Sequence, residues 1–207
     1  MTDLFPAVIE TERLRLARLD AAVDTLKYYD VCAHDPGIED ATKYTAWEPH
    51  SHPRETADYV EGVADAWQEG ASPTYAIFPR EGERDAGTLV GACDVVVGWE
   101  RRAGELGIWL RKPFWGRGYS GERAAALIEL SFEQLDLDLV GVTLHTDNER
   151  SKRAVEKYVD RFGGQLDGRF RNHLVVGDEP CDVFRYSVSR AQWAESRPDV
   201  LTVQFYD

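Results

Sequence analysis

The 207-residue chain is 43% hydrophobic, a length and composition typical of one globular domain with a hydrophobic core. No apolar run is long enough to span a bilayer, and the N-terminus lacks the charged and apolar regions of a signal peptide, so we expect a soluble, cytoplasmic protein without a membrane partner. The formal net charge of −13 disfavours nucleic acid as a partner, and the scarcity of lysine among the basic residues suggests a halophilic surface suited to a salt-rich cytoplasm.

The cysteines and histidines predict neither a disulfide framework nor a metal site. Cys32, Cys93 and Cys181 are scattered and form no Cys-x-x-Cys pair, which fits a reduced intracellular compartment. His50 and His52 lie close together without acidic or thiol residues at ligand spacing, so we assign both to a loop.

The first third of the chain is predicted to hold one strand and two helices. Residues 10–18 alternate as a strand does, and Asp20 can cap a helix over residues 21–29. Residues 30–52 look irregular. A second helix is predicted over residues 53–70, because a proline opens it and a glycine ends it.

The middle of the chain is predicted to contain three antiparallel strands. Strands at residues 74–78 and 88–99 are joined by a polar turn. A second turn, at residues 100–104, leads into a central strand at residues 105–110, in which apolar residues alternate with others.

A glycine-rich loop follows the central strand and opens onto a helix. Gly116, Gly118 and Gly121 leave the loop backbone bare enough to touch a ligand. Apolar residues at helical spacing follow, so the loop should end at a helix N-terminus, where free N–H groups and the positive end of the helix dipole favour phosphate. We therefore expect a phosphate-bearing ligand.

The local charge points the same way. Residues 101–123 hold six basic residues and two acidic ones, a local charge of +4 in an acidic chain. Such a basic segment usually meets an anion, although a solvated strand end beside an ordinary helix would carry the same residues.

Two other glycine-rich sites fit less well. The spacing Gly116-x-Gly118-x-x-Gly121 is also that of a dinucleotide site, but there the glycines follow the strand directly, and here five residues intervene. A kinase-type loop is a poorer match, because no HRD or DFG sequence follows.

The last part of the chain is predicted to add a strand, a helix and a closing hairpin. The strand covers residues 140–146, and Asn148 can cap a helix from Glu149 to Arg161. The hairpin covers residues 165–171 and 182–189. The tail, residues 199–207, alternates like an edge strand or a segment that meets a second subunit.

Four sequence segments carry a family resemblance: IETERLRLARL, GELGIWLRKPFWGRGYSGE, TDNERSKRAVEK and CDVFRYSV followed by Gln192-Trp193. Together with the order of elements, they resemble the GNAT acetyltransferases, in particular the RimJ/RimL type that acetylates N-terminal amines of ribosomal proteins. The resemblance covers about residues 8–193. It implies an α/β (α+β) fold with a mixed, mostly antiparallel central sheet, splayed middle strands and flanking helices, as one domain over residues 1–198 with a C-terminal extension at 199–207.

The resemblance also implies acetyl-CoA as the acetyl donor. In this family the loop amides receive the pyrophosphate of coenzyme A, and the pantetheine arm lies between the splayed strands, here beside residues 144–146. The cofactor-binding residues carried over by position are Trp109, Leu110, Arg111, Trp115, Gly116, Arg117, Gly118, Tyr119, Ser120, Gly121, Asn148 and Ser151.

Two residues are candidates for catalysis. Glu105 matches a glutamate of the family that takes a proton from the amine, although it could instead be an exposed carboxylate paired with Arg101 or Arg102. Ser151 matches the family serine near the thiol, which would protonate the leaving thiolate, although it could be an ordinary first-turn serine.

Further positions fill out the site. A backbone N–H of the splayed strand, such as that of Leu110, would bind the developing oxyanion. Asn148 could act in the site or only cap its helix. Leu174 stands where RimL-type enzymes can carry a glutamate base, which leaves His173 and His145 as secondary bases. Trp47 and Glu48 are expected on the acceptor side, although Trp47 could equally be an ordinary core aromatic.

The acceptor is the least defined part of this interpretation. The resemblance favours a protein N-terminal α-amine, such as that of a ribosomal protein, acetylated by direct attack in a ternary complex. A small amine is a second possibility, and a non-catalytic coenzyme-A-binding module is a third. A homodimer is conceivable through the tail.

Overall fold

The computed structural model describes residues 4–196 and 202–207. Nine strands lie within these residues: β1 (Val8–Glu10), β2 (Leu14–Arg18), β3 (Thr74–Pro79), β4 (Gly91–Gly98), β5 (Ala103–Leu110), β6 (Leu139–His145), β7 (Gln165–Val176), β8 (Glu179–Ser189) and β9 (Gln204–Tyr206). The α-helices are α1 (Leu19–Ala22), α2 (Thr25–His34), α3 (Ile38–Thr42), α4 (Pro53–Gln68), α5 (Tyr119–Glu129), α6 (Glu149–Arg161) and α7 (Arg190–Ser196).

The strands form one sheet in the order β7-β8-β6-β5-β4-β3-β2-β1-β9. Among the described strands, only β5 and β6 pair in parallel, through the crossover that contains α5. The predicted fold class, a mixed and mostly antiparallel sheet flanked by helices, is therefore confirmed.

Helices cover both faces of the sheet. On one face α5 and α6 bury residues such as Leu127 and Val155 in the main hydrophobic core. On the other face α1 to α4 bury residues such as Leu19, Tyr28 and Val63 in a second core, which also includes Trp109 of β5. The central strands thus lie between two apolar layers, as expected for strands that position a buried site.

The prediction of a single first strand over residues 10–18 is wrong in one respect, because the structure has two strands in this region, β1 and β2. A tight turn separates β1 from β2, closed by the bond from Thr11 N–H to the Leu14 carbonyl at 2.9 Å. The Thr11 hydroxyl also accepts from the Leu14 N–H at 3.0 Å and donates to Glu122 of α5 at 2.6 Å. A contact 111 residues away thus helps to set this turn.

The predicted first helix is also wrong in its start and end. Asp20 lies inside α1 and binds Arg18, and the cap of the longer α2 is Asp24, whose carboxylate accepts from the N–H groups of Leu26 and Lys27. Helix α2 continues to His34, so the segment expected to be irregular also contains the end of α2 and the whole of α3.

Several other boundaries move. Strand β4 begins at Gly91, three residues later than predicted, and the turn before β5 is a single 3₁₀ turn ending in a left-handed Arg102. Strands β7 and β8 are longer than predicted and meet at a tight turn. Helix α6 spans Glu149–Arg161, as predicted.

At the far edge of the sheet β9 pairs with β1 in antiparallel register. Residues 199–201 of the tail predicted as an edge strand lie outside the described residues. Among the described residues no helix is long and apolar enough to cross a membrane, and no group of histidine, cysteine, aspartate and glutamate side chains could hold a metal ion.

Candidate active site

The site is built on a fork between β5 and β6. The two strands pair over only three residues each, Ala103 with Leu139, Gly104 with Val140 and Glu105 with Gly141. Beyond this point β5 remains paired with β4, and β6 with β8. The Arg111 N–H donates to the carbonyl of Val90, the residue before β4, at 2.9 Å. Because successive amides of a strand point to opposite sides, the preceding amide, of Leu110, points into the fork.

The glycine loop lies at the open end of the fork. Gly116 and Gly118 have φ angles of 76° and 84°, a region that other residues rarely adopt, and Gly118 is the N-cap of α5. The amides of Gly121 and Glu122 donate back to the Gly118 carbonyl. The remaining loop amides find no acceptor among residues 4–196 and 202–207; they are those of Gly116, Arg117, Gly118, Tyr119 and Ser120. Five N–H groups are therefore available to an anion.

The loop is held by a residue that the sequence analysis missed. Arg13, the residue before β2, donates to Glu122 from its backbone N–H and its Nε, both at 2.8 Å, and donates from Nη1 to the Arg117 carbonyl at 3.0 Å. The two partners are more than 100 residues apart, so no local pattern could reveal the pair. The contact joins the loop to the sheet.

Most of the basic segment is neutralised within the protein, contrary to expectation. Its partners lie outside the segment: Arg111 binds Asp35, Lys112 binds Asp40, Arg117 binds Asp85, and Arg102 binds Asp136 and Asp138. The positive charge of the sequence segment is thus largely matched by carboxylates that the fold brings to it. The Arg111 side chain, predicted to bind cofactor, is held by Asp35 and the Leu89 carbonyl.

One cation beside the loop remains available. The Arg150 guanidinium, on α6, lies 4.1 Å from the centre of the Trp115 ring and has no ion pair with a carboxylate of the described chain. The Trp115 indole in turn donates to the Leu110 carbonyl at 2.7 Å, which joins the loop to the end of β5. Sequence analysis missed Arg150 although it directly precedes Ser151.

Asn148 and Ser151 lie at the start of α6. The Asn148 side chain accepts from the Ser151 N–H at 3.0 Å and so caps the helix. The Ser151 hydroxyl forms no hydrogen bond with the residues that the structure describes, and is therefore free for a ligand.

Glu105 lies where the fork opens. Its carboxylate accepts from the Thr143 hydroxyl at 2.5 Å and lies 3.5 Å from Arg185. The alternative pairing with Arg101 or Arg102 is wrong, because Glu105 pairs with Arg185 and Arg102 binds Asp136 and Asp138. The side chain is 37% exposed, so it remains reachable but already has two partners.

The other acceptor-side candidates have structural contacts. The His145 ring lies 5.0 Å from that of Tyr44, and its Nδ1 accepts from the Asp147 N–H. His173 lies beside Phe170 on an exposed part of β7. Trp47 packs against Trp109, at 5.3 Å between ring centres.

A further carboxylate on this face was missed altogether. Asp94 of β4 lies directly opposite Gly107 of β5, between the positions of Glu105 and Trp109. It forms no hydrogen bond or ion pair within the described part of the chain, and burial raises its pKa to about 6, partly opposed by the Arg123 guanidinium.

Comparison with known proteins places this geometry in context. A family model described as an acetyltransferase (GNAT) domain matches residues 13–158. The uncharacterized N-acetyltransferase p20 of Bacillus licheniformis is 23% identical over 185 residues, which cover 89% of this chain and 97% of that protein.

Solved structures share the fold at low sequence identity. Mycobacterium smegmatis RimJ in complex with CoA-disulfide matches with a TM-score of 0.76 at 14% identity, over 93% of this chain and 91% of that chain. Spermidine N-acetyltransferase from Vibrio cholerae in complex with CoA and spermine matches with a TM-score of 0.67 at 14% identity, over 90% of this chain and 98% of that chain.

Proposed function

The chain belongs to the GNAT family of acetyltransferases, which use acetyl-CoA, and we propose that it transfers the acetyl group to a protein N-terminal α-amine. The observation that carries the proposal is the glycine loop, in which five amides without a protein acceptor lie at the N-terminus of α5 and at the open end of the fork. A pyrophosphate needs this kind of donor set.

The residues around the loop fit coenzyme A. The loop from Trp115 to Gly121 would hold the pyrophosphate, and Arg150 would supply the positive charge that the neutralised side chains no longer offer. The pantetheine arm would lie along the unpaired edges of β5 and β6, where amides such as that of Leu110 are free.

The chemistry then needs three groups from the chain. An amine must lose a proton before it can attack the thioester, and Glu105 is proposed to take it through water. The Leu110 N–H is proposed to donate to the developing oxyanion. The free Ser151 hydroxyl is proposed to protonate the coenzyme A thiolate as it leaves. The acetyl group is proposed to pass directly from acetyl-CoA to the amine in a ternary complex.

The acceptor is assigned from two considerations. An α-amine is more acidic than a lysine side chain, with a pKa of about 8 rather than about 10.4, so it needs less help from a base that already has two partners. The likeness in fold to RimL, a ribosomal L7/L12 α-N-protein acetyltransferase, supports a protein N-terminus, for example of a ribosomal protein.

A small amine is the second candidate acceptor. The unpaired Asp94 carboxylate on the acceptor face could hold a compact ammonium, and spermidine N-acetyltransferase shares the fold. A non-catalytic coenzyme-A-binding module is disfavoured, because both the free hydroxyl of Ser151 and the carboxylate of Glu105 lie at the fork.

The experiment is an acceptor panel measured by free-thiol release from acetyl-CoA. Peptides with free N-termini, the same peptides with blocked N-termini and a lysine, and small polyamines form its three arms. Turnover of the free N-termini alone is expected. Turnover of polyamines alone would move the assignment to the second candidate, and binding of acetyl-CoA without turnover of any arm would contradict an enzymatic role.

A further inference from the structure

Asp94 occupies a distinctive place in the sheet. Residues that lie directly opposite each other in neighbouring strands share a face, so Asp94 and Gly107 point to the side covered by α2 and α4. A Cβ at Gly107 would collide with the Asp94 carboxylate, and the glycine therefore leaves room for it. Because β5 loses its β6 partner just after Glu105, Asp94 stands beside the open part of the fork.

Aromatic rings surround this part of the face. Tyr59 stacks on Tyr28 with 6.1 Å between ring centres, Tyr28 lies 6.4 Å from Trp109, and Trp109 lies 5.3 Å from Trp47. Tyr59 is 38% exposed, so the ring cluster reaches solvent. A carboxylate beside aromatic faces is an arrangement that attracts an ammonium ion.

We propose that Asp94 binds the ammonium group of the acceptor amine and takes its proton. This inference rests on the proposed function and specifies its acceptor site: a primary amine that enters protonated between α2, α4 and the fork. Asp94 would then replace Glu105 as the base, and Glu105, held by Thr143 and Arg185, would join β5 to β6 and β8 where the fork opens.

The step balances without a further reactant. The Asp94 carboxylate takes one proton from the ammonium, and the nitrogen lone pair that this releases attacks the thioester carbonyl carbon. The new C–N bond forms as the C–S bond breaks, the sulfur leaves with the bonding electrons, and the nitrogen gives up a second proton to water. The Ser151 hydroxyl, replenished from solvent, gives the sulfur a proton.

The environment of Asp94 suits this role. Burial raises the pKa of Asp94 to about 6, against the lowering effect of Arg123, so the carboxylate is a stronger base than an exposed aspartate and is still ionised at neutral pH. Three neighbouring groups stay uncharged near neutral pH: burial raises the pKa of both Tyr59 and Cys93 to about 12, and burial lowers that of His50, whose ring lies 6.1 Å from that of Tyr59. Glu105, two residues from Gly107 on the same face, is the other carboxylate nearby.

The test is the near-isosteric change Asp94→Asn in the full chain. With the best amine of the panel, kcat/KM should fall about 10²-fold, a typical contribution of a general base, and acetyl-CoA affinity measured by calorimetry should not change. The rise of kcat/KM with pH near 6 should disappear. Asp58→Asn, which removes an exposed carboxylate next to Tyr59 in the sequence, is the matched control and should retain the wild-type rate.

A second nucleophile separates proton transfer from structural damage. An alkoxyamine is uncharged near neutral pH, so Asp94→Asn should lose far less of its rate with this acceptor than with the ammonium-forming amine. An equal loss with both acceptors, or an unchanged pH profile for kcat/KM, would overturn the assignment. If the wild type binds acetyl-CoA but acetylates none of the amines, the proposed function fails, and this assignment fails with it.

Discussion

Replacing Gly118 by aspartate should weaken acetyl-CoA binding by at least tenfold. Gly118 caps α5 with φ at 84°, where a non-glycine residue costs about 1–2 kcal/mol. The new carboxylate would face the pyrophosphate, and two like charges about 4 Å apart repel by about 1 kcal/mol in water and more in a partly buried site. A tenfold loss corresponds to about 1.4 kcal/mol, so the repulsion alone nearly accounts for it.

One contact works in the opposite direction. A Cβ on Gly118 would lie 3.2 Å from Nη2 of Arg13, so an aspartate there could pair with Arg13 and draw it from Glu122. This pairing would reduce the repulsion but loosen the loop from β2. The weaker repulsion would moderate the loss of affinity, whereas the looser loop would add to it, so a net loss is still expected.

Calorimetry with acetyl-CoA is the assay, and thermal unfolding checks that the variant is folded. Gly118→Ala separates the effect of the backbone and Cβ from that of charge. Gly62→Ala in α4 is the matched control, because no atom lies within 4 Å of its added Cβ and its backbone is helical, so it should bind normally and unfold no earlier. Native affinity in a folded Gly118→Asp variant would refute the placement of the pyrophosphate.

Three further outcomes are expected. Ser151→Ala keeps the N–H that donates to the Asn148 side chain, so stability and acetyl-CoA affinity should not change. Its kcat should fall about 10²-fold, and the rise of kcat/KM with pH near 6 should remain. A wild-type kcat would show that the hydroxyl takes no part in the reaction. Arg150→Gln should weaken acetyl-CoA binding by about 0.5–1 kcal/mol and make binding less dependent on salt. Arg153→Gln, on the exposed side of α6, is the control and should bind as the wild type does. Equal affinities of the two variants in calorimetry would contradict the role of Arg150. Because folding raises the pKa of Asp94 from 3.8 to about 6, ionisation of Asp94 destabilises the folded state. The melting temperature of Asp94→Asn should therefore rise relative to that of the wild type as pH rises from about 4 to above 6. A difference in melting temperature that does not depend on pH would exclude ionisation of Asp94 as its cause.

The elements that were predicted well are those fixed by short-range interactions. Helix α6 begins after a side-chain cap at Asn148 and ends before a glycine pair, and both signals lie within a few residues of the helix. The glycine loop was equally predictable, because Gly118 adopts a positive φ and a glycine in the local sequence indicates such a position.

The errors came from contacts between distant segments. The turn at Thr11 is stabilised by Glu122 of α5, and the basic segment is neutralised by Asp35, Asp40 and Asp85, none of which is close in sequence. A net charge counted over a sequence window cannot include such partners.

Asp94 was overlooked for a different reason. It lies within a strand whose other residues are apolar, and only the register against Gly107 shows that its carboxylate has space and lacks a partner. Register depends on pairing between strands, which single-sequence patterns do not define.

The three-residue pairing of β5 with β6 has a consequence for the lifetime of the protein. It leaves two half-sheets, β9 to β5 and β6 to β7, which are joined by a short ladder, by helix packing and by side-chain contacts such as that of Glu105 with Thr143. If acetyl-CoA lies in the seam between them, as proposed, it would hold the two half-sheets together, and its binding would add about 2.7 kcal/mol to the free energy of unfolding at a concentration 100 times Kd. Cells starved of the donor are therefore expected to degrade this protein faster, so that its abundance follows the supply of its own substrate.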